Sequence, residues 1–135
     1  MKGARVLVVD DEADIARLLV FRLQDAGFDA EAVGTATAAL ARAAACPPAV
    51  VLLDVMLPDL SGFEVCRRLR RDPKLAAVSI MMVTARAEMV DCSVAFEVGA
   101  DDYIVKPFDV LDLVERVRAL GRLRRDRGAA RRAAR

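Results

Sequence analysis

Val50 to Leu53 form an apolar run with no polar alternation, and the run ends on Asp54. A strand made of these residues must be covered on both faces, as the inner strands of a parallel sheet are, because either face left open would put branched aliphatic side chains in water. Val6 to Val9 repeat the pattern, a second fully apolar run terminated by Asp10, Asp11 and Glu12. In open α/β sheets ligands bind outside the carboxyl ends of the strands, so acids at these two positions are placed for chemistry as well as for solubility.

The intervening segments change period. Ile15, Leu18, Leu19 and Leu23 recur at helical spacing, with Gly27 as the closing C-cap. Phe28 to Val33 reads as a shorter, less apolar strand nearer a sheet edge. Gly34-Thr35 then introduces an Ala-rich helix to about Ala45, which Cys46-Pro47-Pro48 stops. Pro58 and Gly62 bracket a loop, and Phe63, Val65, Cys66 and Leu69 give one face of a helix ended by Asp72-Pro73. The other face, Arg67, Arg68, Arg70 and Arg71, reads as solvated. Ser79 to Val83 is the next strand, and a helix from about Met89 to Val98 is capped by Gly99. A strand over Asp102 to Val105 leads to Lys106-Pro107. Asp109 caps a last amphipathic helix with Val110, Leu113, Val114, Val117 and Leu120 on one side. Five strands alternating with five helices predict an α/β, doubly wound, five-stranded parallel sheet with right-handed crossovers and strand order 2-1-3-4-5. That order reverses between strands 1 and 3, the two that end in acids.

Composition narrows the chemistry. With 135 residues the chain suits one domain, and with no Trp and one Tyr its core must be built from Ala, Val and Leu. No apolar stretch approaches the ~20 residues of a membrane span, and Met1-Lys2 opens without a signal-peptide pattern, so a cytoplasmic protein with no membrane partner is expected. Three widely spaced Cys and no His argue for reduced structural thiols rather than a disulfide framework or a zinc site. The net charge of +1 is uneven: from Arg122 to Arg135 seven Arg against one Asp give +6, which leaves −5 for the body. We therefore divide the chain into a folded body, 1–121, and an Arg-rich tail or linker, 122–135. Without interleaved aromatics the tail is expected to be a solvated helix extension or linker, with only non-specific, salt-sensitive affinity for DNA and no sequence-specific nucleic-acid binding.

The strand order gathers Asp10, Asp11 and Asp54. Clustered carboxylates must protonate or hold a cation, and with only oxygen donors at hand the cation should be hard; Mg²⁺ suits a few carboxylates, a backbone carbonyl such as that of Met56, and waters. Such a cation draws in a phosphoryl group, whose other oxygens Lys106 and Thr84 at the ends of strands 5 and 4 can meet. Asp54 can then act as the nucleophile and form an aspartyl phosphate.

Val8-Val9-Asp10-Asp11-Glu12, Leu53-Asp54 with Met56-Leu57-Pro58 and Gly62, Val83-Thr84-Ala85, and Gly99-Ala100-Asp101-Asp102-Tyr103 running into Lys106-Pro107-Phe108 together resemble the receiver domain of two-component response regulators, with a CheY-like fold. Receivers of OmpR/PhoB-type transcription regulators are the most similar. The resemblance covers about residues 3 to 121. It implies that Asp10, Asp11, Asp54 and the Met56 carbonyl bind Mg²⁺, that Asp54 takes phosphate from a sensor histidine kinase or phosphotransfer protein, and that Lys106 and Thr84 contact the phosphoryl group. It further implies a cis peptide at Lys106–Pro107 and a switch pairing Thr84 with Tyr103. The chain is then a regulatory phosphoacceptor rather than an enzyme with a separate substrate. The alternative is a receiver-like module that works by protein contacts without phosphorylation, but such members lose an acid or the lysine. A nucleotide or flavin binder would want a Gly-rich loop where Asp10-Asp11-Glu12 stands, and a dehalogenase-type phosphatase would want an Asp where Met56 stands.

The resemblance also implies a surface made by helix 4, strand 5 and helix 5 through which such receivers dimerise by ion pairs. This sequence keeps Asp101, Asp102, Asp112 and Arg116 but has Cys92 and Val94 where basic residues are usual, which leaves Asp112 without a partner. Val90 and Val94, four apart, either make helix 4 unusually apolar on a face open to solvent or simply face the core. The expectation is that the activated domain either stays monomeric or offers helix 4 to an output domain or a downstream protein.

Overall fold

A computed structural model describes residues 3–85 and 92–133. The strands are β1 (Arg5–Val9), β2 (Asp29–Val33), β3 (Val50–Asp54), β4 (Ser79–Thr84) and β5 (Asp102–Val105), and they form one sheet in the order β2-β1-β3-β4-β5. Every pairing is parallel. The helices are α1 (Ala13–Asp25), α2 (Ala36–Ala45), α3 (Gly62–Arg71), α4 (Cys92–Glu97) and α5 (Val110–Ala133). The expected fold class is therefore the observed one. The expected start of helix 4 at Met89, and Val90 with it, lie outside the described residues.

Strict alternation along the buried strands sorts side chains to two cores. Leu7, Val9, Val51, Leu53, Ile80 and Met82 pack on one face against Ala36, Ala39 and Ala43 of α2 and Val65, Cys66 and Leu69 of α3. Val6, Val8, Val50, Leu52, Met81, Val83 and Ile104 pack on the other against Leu19 and Leu23 of α1 and Leu113, Val117 and Leu120 of α5. Each such aliphatic side chain removed from water contributes about 1.5–3 kcal/mol before the cost of ordering it. The small alanines let α2 lie close to the sheet, which is how a core with few aromatic rings stays dense. Cys66 belongs to this packing: burial pushes its thiol up to about 11, and its Sγ donates to the Val98 carbonyl at 3.4 Å, so it is a structural thiol.

Local chemistry sets the helix ends. Gly27, with φ of 99°, follows α1 in the left-handed region that a side chain would resist. Thr35 caps α2 by accepting from Ala38 N, Ser61 caps α3 by accepting from Phe63 N, and Asp109 Oδ1 accepts from Leu111 N at 2.8 Å at the head of α5.

Two expectations are corrected by α5 and α3. The Arg-rich segment from Arg122 continues α5 without a break, and it is not merely solvated, because Arg127 pairs with Asp101 and Arg131 Nη2 donates to the Pro73 carbonyl at 3.3 Å. Of the four arginines on α3, Arg67 and Arg68 are exposed and pair with Glu64, as a solvated face does. Arg70 instead turns under the sheet: its Nε donates to Gly99 O and its Nη1 to Ala76 O and Val78 O, while its Nη2 meets Asp101 Oδ2 at 2.9 Å. Helical spacing places Arg70 near the border of the polar face, where a long side chain can reach carbonyls left open at the ends of strands.

Candidate phosphoacceptor site

The carboxyl ends of β1 and β3 lie side by side, with Val9 opposite Leu53, so the acids that follow each strand share one edge. Asp10 and Asp54 are 4% and 5% exposed, and Thr84 at the end of β4 is 2% exposed. Buried carboxylates need partners, and here the backbone supplies the first of them. Asp10 Oδ1 accepts from Glu12 N at 2.9 Å, and Asp54 Oδ1 accepts from Met56 N at 3.0 Å. Each acid thereby folds the loop behind it into a tight turn and keeps its second oxygen facing the common space.

Lys106 fills that space. Its Nζ donates to Asp10 Oδ2 at 2.9 Å, to Glu12 Oε1 at 3.3 Å and to Asp54 Oδ2 at 3.4 Å. At the end of β5, Lys106 N donates to Thr84 O at 2.6 Å, and the Lys106–Pro107 peptide is cis. Burial pushes the Asp54 carboxyl above the usual carboxylate range, helped by the nearby Asp10 charge and opposed by Met56 N–H and Lys106. Burial works to lower the lysine, but the Asp10 hydrogen bond, the charges of Asp54 and Asp10 and the Glu12 hydrogen bond outweigh it, and the ammonium is held above its ordinary value.

The donor set fits a hard divalent cation. Carboxylate oxygens of Asp10, Glu12 and Asp54 lie within 4.8 Å of one another, and the chain contains no His to offer nitrogen. Glu12 is the member of this group that sequence reasoning did not name as a ligand. Its place as the third acid after β1 was visible, but not that the turn at Asp10 would bring it back. Asp11 is exposed beside this group and outside the close set of three, while Met56 stands next to Asp54 through its backbone.

Tyr103 lies on β5 opposite Met82 and is half-buried against the α2, α3 side of the core. Thr84, two residues beyond Met82, faces the same side of the sheet. Residues 86–91, which follow Ala85, lie outside the described residues.

On the surface of α4, β5 and α5, Arg116 donates through Nη1 to Asp102 Oδ1 and Tyr103 O, both at 3.1 Å, and through Nε to Asp112 Oδ2 at 3.1 Å. Asp112 is therefore not left without a partner; an i,i+4 pair within α5 supplies one, which the missing basic residues of helix 4 do not affect. Asp101 is likewise taken up inside the chain by Arg70 and Arg127. Val94 is partly buried and Phe96 is 52% exposed; the side chain of Cys92 lies outside the described residues.

A doubly wound parallel sheet with a buried aspartate at its switch point, a second acid beside it and a lysine reaching across from the last strand defines an aspartate-centred signalling domain. The chain belongs to the response regulator receiver domain family, whose model matches residues 6–118. It is 48% identical over 122 residues to the DNA-binding response regulator MtrA of Mycobacterium tuberculosis, covering 90% of this chain and 51% of that protein. It is 42% identical over 116 residues to the DNA-binding dual master transcriptional regulator RpaA of Synechocystis, covering 86% of this chain and 48% of that one. The chain spans about half the length of these curated relatives. Among solved structures, a CheY-like response regulator receiver domain protein from Methanospirillum hungatei superposes with a TM-score of 0.86 at 27% identity, covering 93% of this chain and 99% of that one. Among the described residues no helix is long and apolar enough to cross a membrane.

Proposed function

We propose that this domain is a cytoplasmic switch that accepts a phosphoryl group on Asp54 from a sensor histidine kinase or phosphotransfer protein. The observation that carries the reading is the buried pair Asp10 and Asp54 with Lys106 held between them. These 135 residues hold no His, so the donor imidazole lies outside them. An Asp54 oxygen attacks phosphorus, the bond from phosphorus to the donor nitrogen breaks with its electron pair leaving on that nitrogen, and the donor imidazole recovers a proton from solvent.

Asp10, Asp54, the Met56 carbonyl and either Asp11 or Glu12 would hold Mg²⁺, which when bound supplies positive charge to the phosphoryl oxygens. Lys106 neutralises the oxygen nearest β5, and the Thr84 hydroxyl donates to another. Movement of Thr84 toward the phosphoryl group opens room on the side of the sheet where Tyr103 sits, so the two residues form a two-state element that phosphorylation biases. The readout is the surface of α4, β5 and α5. Because Arg116 already satisfies Asp102 and Asp112 within the chain, the activated domain stays monomeric or offers α4, with Phe96 exposed, to an output domain or downstream protein.

Incubation with acetyl phosphate and Mg²⁺ tests the assignment. One phosphoryl group should be gained per chain, and an equal gain in Asp54→Asn, or after full chelation, would overturn it.

A further inference from the structure

The loop from Val55 to Ser61, between β3 and α3, carries Met56 beside the acceptor and is closed at its base by its own backbone. Gly62 N donates to Val55 O at 2.9 Å, Val55 N donates to Val83 O at 3.2 Å, and Met56 bridges Ser61. The far end of the loop reaches α2 through one side chain. Asp59 Oδ1 accepts from Ala36 N at 2.8 Å, and Asp59 Oδ2 accepts from Thr37 N at 2.9 Å and from Thr37 Oγ1 at 2.7 Å. Asp59 Oδ1 also accepts from Leu60 N at 3.1 Å, which fixes the carboxylate to its own loop.

These bonds join two parts of the acidic site that are far apart in sequence. The start of α2 follows β2 directly, and the last carbonyl of β2, Val33 O, accepts from Asp10 N at 3.1 Å. One side of the site, Asp10, is therefore tied to the β2 to α2 connection, and the other side, Asp54 with Met56, is tied through Asp59 to the same connection. The helix already has its own cap in Thr35, whose hydroxyl serves Ala38 N. Asp59 adds two of the remaining open N–H groups to its own partners, from outside the helix and with a full negative charge at the positive end of the dipole. The Thr37 hydroxyl and then the Thr37 and Ala36 amides hold the Asp59 carboxyl well below the usual carboxylate range, so this tie stays ionised across the working pH.

We propose that Asp59 is a positioning residue for the cation site: by fastening the acceptor loop to the start of α2, it sets the separation of Met56 and Asp54 from Asp10 and so the affinity for Mg²⁺. The inference rests on the reading of this edge as a Mg²⁺-dependent phosphoacceptor. Removal of outer partners that orient metal ligands typically costs 10–100-fold in affinity; Asp59 acts through the loop backbone rather than on a ligand atom, which places it at about tenfold.

The test is a Mg²⁺ titration of the full chain without phosphodonor, followed by the amide NMR shifts of Glu12 and Met56. Asp59→Ala should raise the Mg²⁺ dissociation constant about tenfold, and Asp59→Asn, which keeps one acceptor oxygen, should fall between it and the wild type. Thr35→Ala weakens the same helix start without touching the loop, so it should lower the thermal midpoint and leave the Mg²⁺ constant unchanged. A fall in midpoint for Asp59→Ala with no change in Mg²⁺ affinity, or equal weakening by Thr35→Ala, would overturn the inference. If Asp59→Ala does not fold, Thr37→Val removes the hydroxyl bond alone, and an unaltered Mg²⁺ constant in that variant would overturn it as well. Failure of the wild type to bind Mg²⁺ would overturn the proposed function instead.

Discussion

A Cβ atom on residue 62 would stand 2.2 Å from the carbonyl oxygen of Asp54. Gly62 is therefore required by the close passage of the α3 start over the backbone of Asp54, which ties a turn residue to the acidic edge of the sheet. Gly62→Ala must move either the loop or the strand end, an overpacking cost of about 1–3 kcal/mol. Thermal unfolding should show a midpoint several degrees lower, and phosphorylation by acetyl phosphate should slow in the surviving native fraction.

Asp54 gives a pH dependence with a definite sign. Its carboxyl is raised by burial, so the folded state holds the proton more tightly than the unfolded state, and ionising Asp54 lowers stability. That cost is fully present above the folded-state pKa and disappears as pH falls below the unfolded value. Without Mg²⁺, Asp54→Asn should be more stable than the wild type at neutral pH, and the gap should close in acid. Denaturant midpoints of the two proteins at several pH values check this, and a gap that widens toward low pH would contradict it.

Lys106 balances three acids, so its loss exposes their mutual repulsion. Lys106→Met should destabilise the metal-free domain, most clearly at low ionic strength. Added Mg²⁺ should then raise its midpoint by more than it raises that of the wild type, because the cation replaces the missing charge and is held more tightly. A smaller rise would show that the lysine does not compete for the same oxygens.

Asp101 anchors the far end of the sheet. It is 9% exposed at its side chain and takes Arg70, Arg127 and Ile80 N at once. Arg127→Ala leaves Asp101 with Arg70 and should cost about 1 kcal/mol, with faster amide exchange confined to residues 122–133. Asp101→Asn leaves two guanidinium groups without their counter-charge and should cost more. Equal exchange in wild type and Arg127→Ala would mean that the end of α5 is not held by this pair.

The strand order and the meeting of Asp10 with Asp54 at its switch point were legible because both rest on short, repetitive signals. Val6 to Val9 and Val50 to Leu53 are apolar without interruption, and only a doubly covered parallel sheet accommodates two such runs ending in acids. The roles of Glu12, Asp59, Arg70 and Arg127 were not legible. Each depends on a side chain crossing to an element 22 to 94 residues away or on a turn that redirects its neighbour, and neither leaves a period in the sequence. Charge counting marked the segment after Arg122 as basic; it did not show that one of those arginines faces the half-buried Asp101.

The strands that carry Thr84 and Lys106 are held at both ends. At its start, β4 gives the Ser79 hydroxyl to the Leu120 carbonyl at 2.7 Å, and Asp101, just before β5, grips Arg127 about two turns further along the same helix. Six residues of strand span about 20 Å and scarcely stretch. The two strands therefore behave as taut cables between the acidic edge and α5, and any slide of Thr84 or Lys106 along the strand axis pulls on the helix at two separate points. Such a linkage runs in both directions: a load applied to α5 beyond Leu120 is felt at the edge that carries Asp10 and Asp54.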